Sequence, residues 1–77
     1  MVKWEYKLVE IWSDGEFDDE IVNVVIDGAE LFTGEERAAW SNRTRHKPLN
    51  ELGKEGWELI TIIHYLPVEF LYFKRDL

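Results

Sequence analysis

The side chains with chemical potential are mostly acidic, and they concentrate in the first half of the sequence. Residues 16–20 read Glu-Phe-Asp-Asp-Glu, and carboxylates this close together can bind a hard cation. The segment lacks the alternating acidic spacing, the central glycine and the distal glutamate of a calcium-binding loop. The sequence therefore predicts a solvated hairpin tip with no bound metal, whose charge discourages edge pairing with other chains.

Groups suited to catalysis are scarce. The only histidines are His46 and His64, and Ser13 and Ser41 lack the flanking glycines of a nucleophile elbow. His64 falls in an apolar stretch, where a structural histidine is expected, and His46 falls in a basic segment, where a surface role is expected. The chain has no cysteine and no glycine pattern typical of phosphate or dinucleotide loops. We therefore predict no enzymatic activity and no cofactor.

The net charge of −7 is unevenly distributed along the 77 residues. Residues 1–36 carry eleven acidic and two basic side chains, whereas residues 37–47 carry four basic side chains and no acidic one. An acidic chain repels phosphate backbones at long range, so direct nucleic-acid binding is not expected. The basic segment is interpreted first as a solvated helix end or loop, and second as a local anion site.

Two functions agree with this distribution. The favoured one is a non-catalytic domain that binds another protein through an acidic surface, because eleven acids in 36 residues is the larger deviation. In its sharpest form it is a phage-type inhibitor whose carboxylates imitate the phosphates of a nucleic acid. The residues of this surface are Glu16, Asp18, Asp19, Glu20, Glu35 and Glu36.

The alternative is a homo-oligomeric module that binds an anionic small molecule, such as a nucleotide-like signal. The charges would come from the basic segment, with Trp40 or Trp57 stacking on a base. The residues of this predicted site are Arg37, Trp40, Arg43, Arg45 and Lys47.

The hydrophobic pattern predicts one α+β domain over residues 1–77. Strands are expected at 3–12, 21–26, 58–66 and 70–75, and residues 29–32 fit either a further strand or a loop. A capping box, Thr33-Gly34-Glu35-Glu36, predicts a helix from about Gly34 to Arg43, with Ala38, Ala39 and Trp40 facing inward. The expected fold is an antiparallel sheet of about four strands with one or two short helices on one face, in the order β-β-(α)-α-β-β.

A helix-to-strand corner at residues 48–60 organises the second half of the chain. Pro48 suits the first helical position, and Gly56 suits the left-handed conformation that ends a helix. Trp57 is then expected to fold back onto Leu52 or Gly53, and Gly53 to allow close approach of the sheet or of Trp57.

Strands 58–66 and 70–75 are apolar on both faces, and the first of them is expected to be central in the sheet. With so few helices, one sheet face remains bare in a monomer, so we predict a homo-oligomer that associates through that face. The chain shows no signal-peptide pattern and no run of membrane-spanning length, which predicts a cytoplasmic protein that does not bind membranes.

Three short motifs together resemble one family. They are Lys3-Trp4-Glu5-Tyr6-Lys7-Leu8-Val9, residues 49–59 with the sequence LNELGKEGWEL, and Phe73-Lys74-Arg75. The combination is similar to the small bacterial and phage family named domain of unknown function 4177. The resemblance implies a β-α-β-β unit with its helix on one sheet face, and it implies no catalytic residue. Residues 13–47 depart from the family pattern, because this segment is longer and contains the acidic cluster, a strand and the basic segment.

Overall fold

The computed structural model describes residues 3–13, 21–31, 33–65 and 67–76, which form a five-stranded antiparallel sheet and two short helices. This agrees with the predicted α+β class, with five strands in place of about four. The additional strand follows the turn at residues 27–28, where the pattern had fitted a strand or a loop. The elements are β1 (Trp4–Ser13), β2 (Ile21–Ile26), β3 (Ala29–Glu30), α1 (Gly34–Ala38), α2 (His46–Lys54), β4 (Glu58–Tyr65) and β5 (Val68–Asp76).

The strands lie in the order β3-β2-β1-β5-β4, so the two ends of the chain form the middle of the sheet. β1 and β5 pair along nine residues, from Trp4 opposite Asp76 to Trp12 opposite Val68. The prediction that residues 58–66 form a central strand is wrong, because β4 lies at the edge and all eight of its residues are exposed. An apolar pattern on both faces does not distinguish a covered interior strand from an edge strand with one unpaired side.

The hydrophobic core lies on one side of the sheet, which we call the helical face. Alternation along the strands directs Val9 and Leu71 to this side, where both are fully buried. The other fully or nearly fully buried core residues are Ile11, Val24, Trp40 and Phe73, and Leu49, Leu52 and Trp57 pack against them. Leu49 and Leu52 come from α2, so the helix packs over the core on the helical face, while Leu59 and Ile62 of β4 on the same side stay exposed.

The opposite side of the sheet, which we call the open face, is rich in aromatic residues. The same alternation places on it Trp4, Tyr6 and Trp12 of β1 and Phe70 and Tyr72 of β5. The three β1 residues are exposed, and no described helix packs on this side. Within the described residues this face therefore has no helix over it, as the sequence predicts, although Val68 at one end of the face is buried.

Helix α1 begins as expected and ends early. The Thr33 hydroxyl accepts a hydrogen bond from the Glu36 backbone N–H at 3.0 Å, which is the predicted N-terminal cap. The helix ends at Ala38, where the pattern predicted Arg43. Beyond Ala38 the backbone continues in tighter turns, in which the Ser41 N–H donates to the Ala38 carbonyl at 3.1 Å, and the Thr44 hydroxyl adds a hydrogen bond to the Ala39 carbonyl at 2.9 Å. Trp40 faces inward as predicted, whereas Ala38 is exposed.

Helix α2 begins two residues earlier than predicted, at His46. Pro48 is therefore the third helical residue, a position that still has no intrahelical N–H bond to lose. The C-terminus has the expected glycine stop, because Gly56 adopts φ +93°. The Gly56 N–H donates to the Gly53 carbonyl and the Trp57 N–H to the Leu52 carbonyl, both at 3.0 Å, which is the Schellman pattern. The close approach predicted at Gly53 is wrong, since a Cβ there would meet no neighbouring heavy atom within 4 Å.

Two glycine substitutions in this corner should have opposite effects. We expect Gly53→Ala to raise the free energy of unfolding by about 0.5–1 kcal/mol, because the helix gains a better former and nothing obstructs the methyl group. We expect Gly56→Ala to lower it by about 1–2 kcal/mol, because an L-residue is strained at this positive φ. Chemical denaturation of both variants measures the difference, and equal effects of one sign would contradict this account of the corner.

The Asp27 carboxylate connects the Asp27-Gly28 turn to strand β1 by hydrogen bonds. Both residues have positive φ, +50° and +86°, as in the hairpin turns that favour an Asp-Gly pair. Asp27 accepts hydrogen bonds from the Leu8 backbone N–H at 2.9 Å and from Lys7 Nζ at 3.0 Å. Desolvation raises the pKa of Asp27, but these two hydrogen bonds and the charge of Lys7 outweigh it, so the pKa lies below its ordinary value of 3.8.

This lowered pKa predicts an acid-sensitive contribution to stability. Asp27 stabilises the fold above the ordinary aspartate pKa, and the contribution disappears as the pH falls through the lowered folded-state pKa. Asp27→Asn should therefore reduce the free energy of unfolding at neutral pH and have less effect in acid. The half-exposed carboxylate limits the neutral-pH loss to less than about 1 kcal/mol. A loss that stays constant from neutral pH to pH 2 would assign the effect to the backbone instead.

Candidate protein-binding surfaces

The predicted acidic surface is only partly within the described residues. Glu16, Asp18, Asp19 and Glu20 lie outside them. Glu35 and Glu36 occupy the first turn of α1, and both are exposed. Acidic side chains in this position complement the helix dipole, so they also have a structural reason to be there.

A groove opens between α1, α2 and the end of β2, and we call it the acid-rimmed groove. Its volume is about 320 Å³. Three exposed glutamates line it, and the remaining lining residues are apolar. The glutamates are Glu36, Glu51 and Glu55, and the apolar residues are Ile26, Leu31, Ala39, Trp40, Pro48 and Leu52.

Only Glu36 of these three glutamates was among the predicted site residues. Glu51 and Glu55 come from the distant helix α2 and its C-cap, and the fold brings them to α1. Their spacing of four residues, which places two side chains on one side of a helix, is the sequence signal that could have found them. Glu51 also forms an exposed ion pair with Lys54 at 3.2 Å.

The basic segment is partly used by the fold itself. Arg37 donates to the Leu31 carbonyl at 2.9 Å. Arg45 donates from Nε to the Trp40 carbonyl and from a terminal nitrogen to a Glu69 carboxylate oxygen, both at 2.9 Å. The Arg45 and Glu69 side chains are each 12% exposed, so this ion pair joins the segment to β5 within the protein.

The remaining members of the predicted anion site differ in exposure. Arg43 and Lys47 are exposed, and Lys47 lines a wider hollow of about 860 Å³ along α2. That hollow also contains Lys54, whose charge Glu51 offsets. Trp40 is buried in the core, and its 4% exposed fraction is too small for the ring to stack on a base.

Trp57, the other ring considered for stacking, already has cationic neighbours. Arg75 lies 4.3 Å and Lys7 4.9 Å from the ring centroid, in cation–π geometry. Arg75 also bonds the Glu5 carboxylate and donates to the Glu55 carbonyl at 3.0 Å. This cluster fixes the helix-to-strand corner against β1 and β5.

The Arg45–Glu69 ion pair should be important for stability. We expect Arg45→Met to lower the free energy of unfolding by about 3 kcal/mol, because Glu69 is left largely buried without its charge partner. The double variant Arg45→Met, Glu69→Leu should lose less than this single variant, because no charge remains uncompensated. Arg43→Met is the matched control, and at an exposed position it should change stability by less than about 0.5 kcal/mol. Thermal unfolding of the four proteins tests this, and equal losses for Arg43→Met and Arg45→Met would contradict it.

The described residues contain few features of other functional classes. They include no group of three or more side chains positioned to hold a metal ion. Within the same ranges, no helix is long and apolar enough to cross a membrane. His46 and His64 are both exposed, at the start of α2 and in β4 respectively.

No family model, curated protein or solved structure matches this chain. The resemblance to the domain of unknown function 4177 family therefore stays a prediction. The function has to be inferred from the surfaces of the protein alone.

Proposed function

We propose that this protein is a non-catalytic interaction domain that binds another protein at the acid-rimmed groove. The observation that carries this proposal is the combination of an apolar lining with three exposed glutamates, Glu36, Glu51 and Glu55. Apolar side chains supply contact area, and charges at the margin select a partner of opposite sign.

The chemistry of the groove defines the partner. Apolar side chains would enter between α1 and α2, and lysine or arginine side chains beside them would meet the glutamates. The net charge of −7 would attract such a basic segment from a distance and speed its association. The partner is therefore a protein with a basic, amphipathic segment.

The wider acidic surface of the sequence prediction belongs to the same proposal. Glu35 lies beside Glu36 in the first turn of α1 and extends the negative charge beyond the groove. A nucleic-acid-binding protein is a partner of the required charge, which is the inhibitor or nucleic-acid-mimic form of the proposal.

Capture of an anionic small molecule has less support. Glu69 neutralises Arg45, Arg37 donates to the Leu31 carbonyl, and the Trp40 ring is buried. The exposed cations that remain, Arg43 and Lys47, have no accessible aromatic partner among the predicted site residues.

A pair of neutralised variants tests the groove. Glu36→Gln with Glu55→Gln removes two rim charges without disturbing the Glu51–Lys54 pair, and Glu30→Gln with Asp76→Asn removes two exposed charges elsewhere. Tagged wild-type and variant proteins would be used to capture partners from bacterial lysate, with quantification by mass spectrometry. We expect the rim variant to retain its basic protein partner on the order of tenfold less well, and the control variant to retain it normally.

Two outcomes would contradict the proposal. Equal losses in both variants would show that net charge alone attracts the partner, without the groove. Full retention by the rim variant would show that the partner binds at another surface. Raised salt should weaken the wild-type interaction, because exposed charges are screened.

A further inference from the structure

Strand β4 is exposed along its whole length, although it is the most apolar edge of the sheet. Its residues 59–65 contain no acidic or basic side chain apart from His64. Five of its side chains are large, apolar and 42 to 74% exposed: Leu59, Ile60, Ile62, Ile63 and Tyr65. Natural edge strands are usually short, charged or interrupted by proline, and β4 has none of these protections after Glu58.

The hydrogen-bond pattern shows which backbone groups β4 leaves available. The Leu8 carbonyl accepts from the Asp27 N–H at 2.9 Å, so Leu8 directs its polar groups towards β2. Antiparallel ladders alternate, and the register carries this alternation across β1 and β5 to β4. Ile63 then directs its backbone groups to β5, while Ile62 and His64 direct theirs to the free edge.

A strand is the partner that can pair these free groups as a row. A helix or a small ligand could cover the apolar side chains, but only an extended chain can pair a row of N–H and C=O groups. An irregularity between Leu59 and Thr61 ends the regular part of the strand, which leaves residues 61–65. The centre of this regular stretch is Ile63.

A second copy of the same strand is complementary to this stretch. Antiparallel pairing about a two-fold axis at Ile63 places Ile63 opposite its own copy and Thr61 opposite Tyr65 on the open face. On the helical face it places Ile62 opposite His64, and these two residues supply the outward backbone groups. Both faces of β4 gain apolar contacts, and no like charges are brought opposite each other.

The charge distribution favours a second copy at this edge. Among the described acidic residues, Asp27 lies in the turn after β2, Glu30 in β3, and Glu35 and Glu36 in α1, which contacts β2, at the opposite end of the sheet from β4. Pairing through β4 would separate the two β2 strands by seven strand spacings, about 34 Å, which exceeds the Debye length at physiological salt. Self-pairing through the short β3 would instead bring the acidic ends together.

We propose that two copies of this protein pair antiparallel through β4, centred on Ile63, to form a continuous ten-stranded sheet. This dimer does not depend on the acid-rimmed groove, which lies between the helices and β2. The predicted homo-oligomer thereby gains a defined interface, at the sheet edge in place of the bare face.

Analytical ultracentrifugation of matched lysine variants tests the dimer. Ile63→Lys places two like charges opposite each other at the axis, and Val22→Lys makes the same change at a β2 residue that is equally exposed. We expect the wild-type protein and Val22→Lys to be dimers at micromolar concentration. The Ile63→Lys dimer should dissociate about a hundredfold more readily. Circular dichroism verifies that both variants keep the sheet.

Cysteine cross-linking provides an independent test, because the chain has no cysteine of its own. Ile63→Cys should form an intermolecular disulfide on mild oxidation, since facing residues at the axis bring their Cβ atoms within bonding range. Val22→Cys is the control for random collision, and Tyr6→Cys reports contact through the open face. The cross-linking experiment tests the dimer even if Ile63→Lys fails to fold.

Three results would overturn the dimer. One is a monomeric wild-type protein at micromolar concentration. The second is equal dissociation of the two lysine variants. The third is cross-linking through Tyr6→Cys in place of Ile63→Cys, which would assign the contact to stacked open faces. If the protein does not dimerise but still captures a basic protein, the dimer is contradicted and the proposed function is not. If the protein dimerises but captures no basic protein, only the proposed function is contradicted.

Discussion

The pairing of β1 with β5 is the interaction on which the other features depend. These strands come from the two ends of the chain and align along nine residues, which closes almost the whole sequence into one loop. Closing so long a loop costs chain entropy, and the burial of Val9, Leu71 and Phe73 between this central pair and the helices offsets that cost. Once the central pair exists, β2 and β4 can only occupy its two outer sides.

This arrangement separates the surfaces of the protein by chemical character. Strands β2 and β3 and helix α1 lie on one side of the central pair, where the groove between the helices collects Glu36, Glu51 and Glu55. Strand β4, which after Glu58 contains no acidic or basic side chain apart from His64, lies on the far side, where it presents apolar side chains and unpaired backbone. A small domain with a single core covers one sheet face, so its remaining apolar surface is available for association. The two proposed interactions therefore use the groove between the helices and the β4 edge of the sheet, and they do not compete for residues.

The basic segment illustrates how a local charge pattern can serve the fold. Arg45 alternates in sequence with neutral residues and gives no sign of its partner, yet at the start of α2 it forms an ion pair with Glu69 of β5. Arg75 and Lys7, which belong to different strands, enclose Trp57 at the end of α2. The fold brings carboxylates and aromatic rings from distant parts of the sequence next to these basic side chains. The basic side chains therefore connect strands and helices, although the sequence alone suggests that some of them bind a ligand.

The sequence by itself determined the features that depend on near neighbours. Thr33 caps α1, and Gly56 ends α2 with its N–H bonded within the same turn. The order of the strands was decided only by the tertiary structure, because β4 and β5 are both apolar on two faces and differ only in what lies beside them. Dependence on tertiary packing also explains why the sequence did not predict the groove. Glu36 and Glu55 are nineteen residues apart, and only the packing of α2 on the sheet brings them to one site.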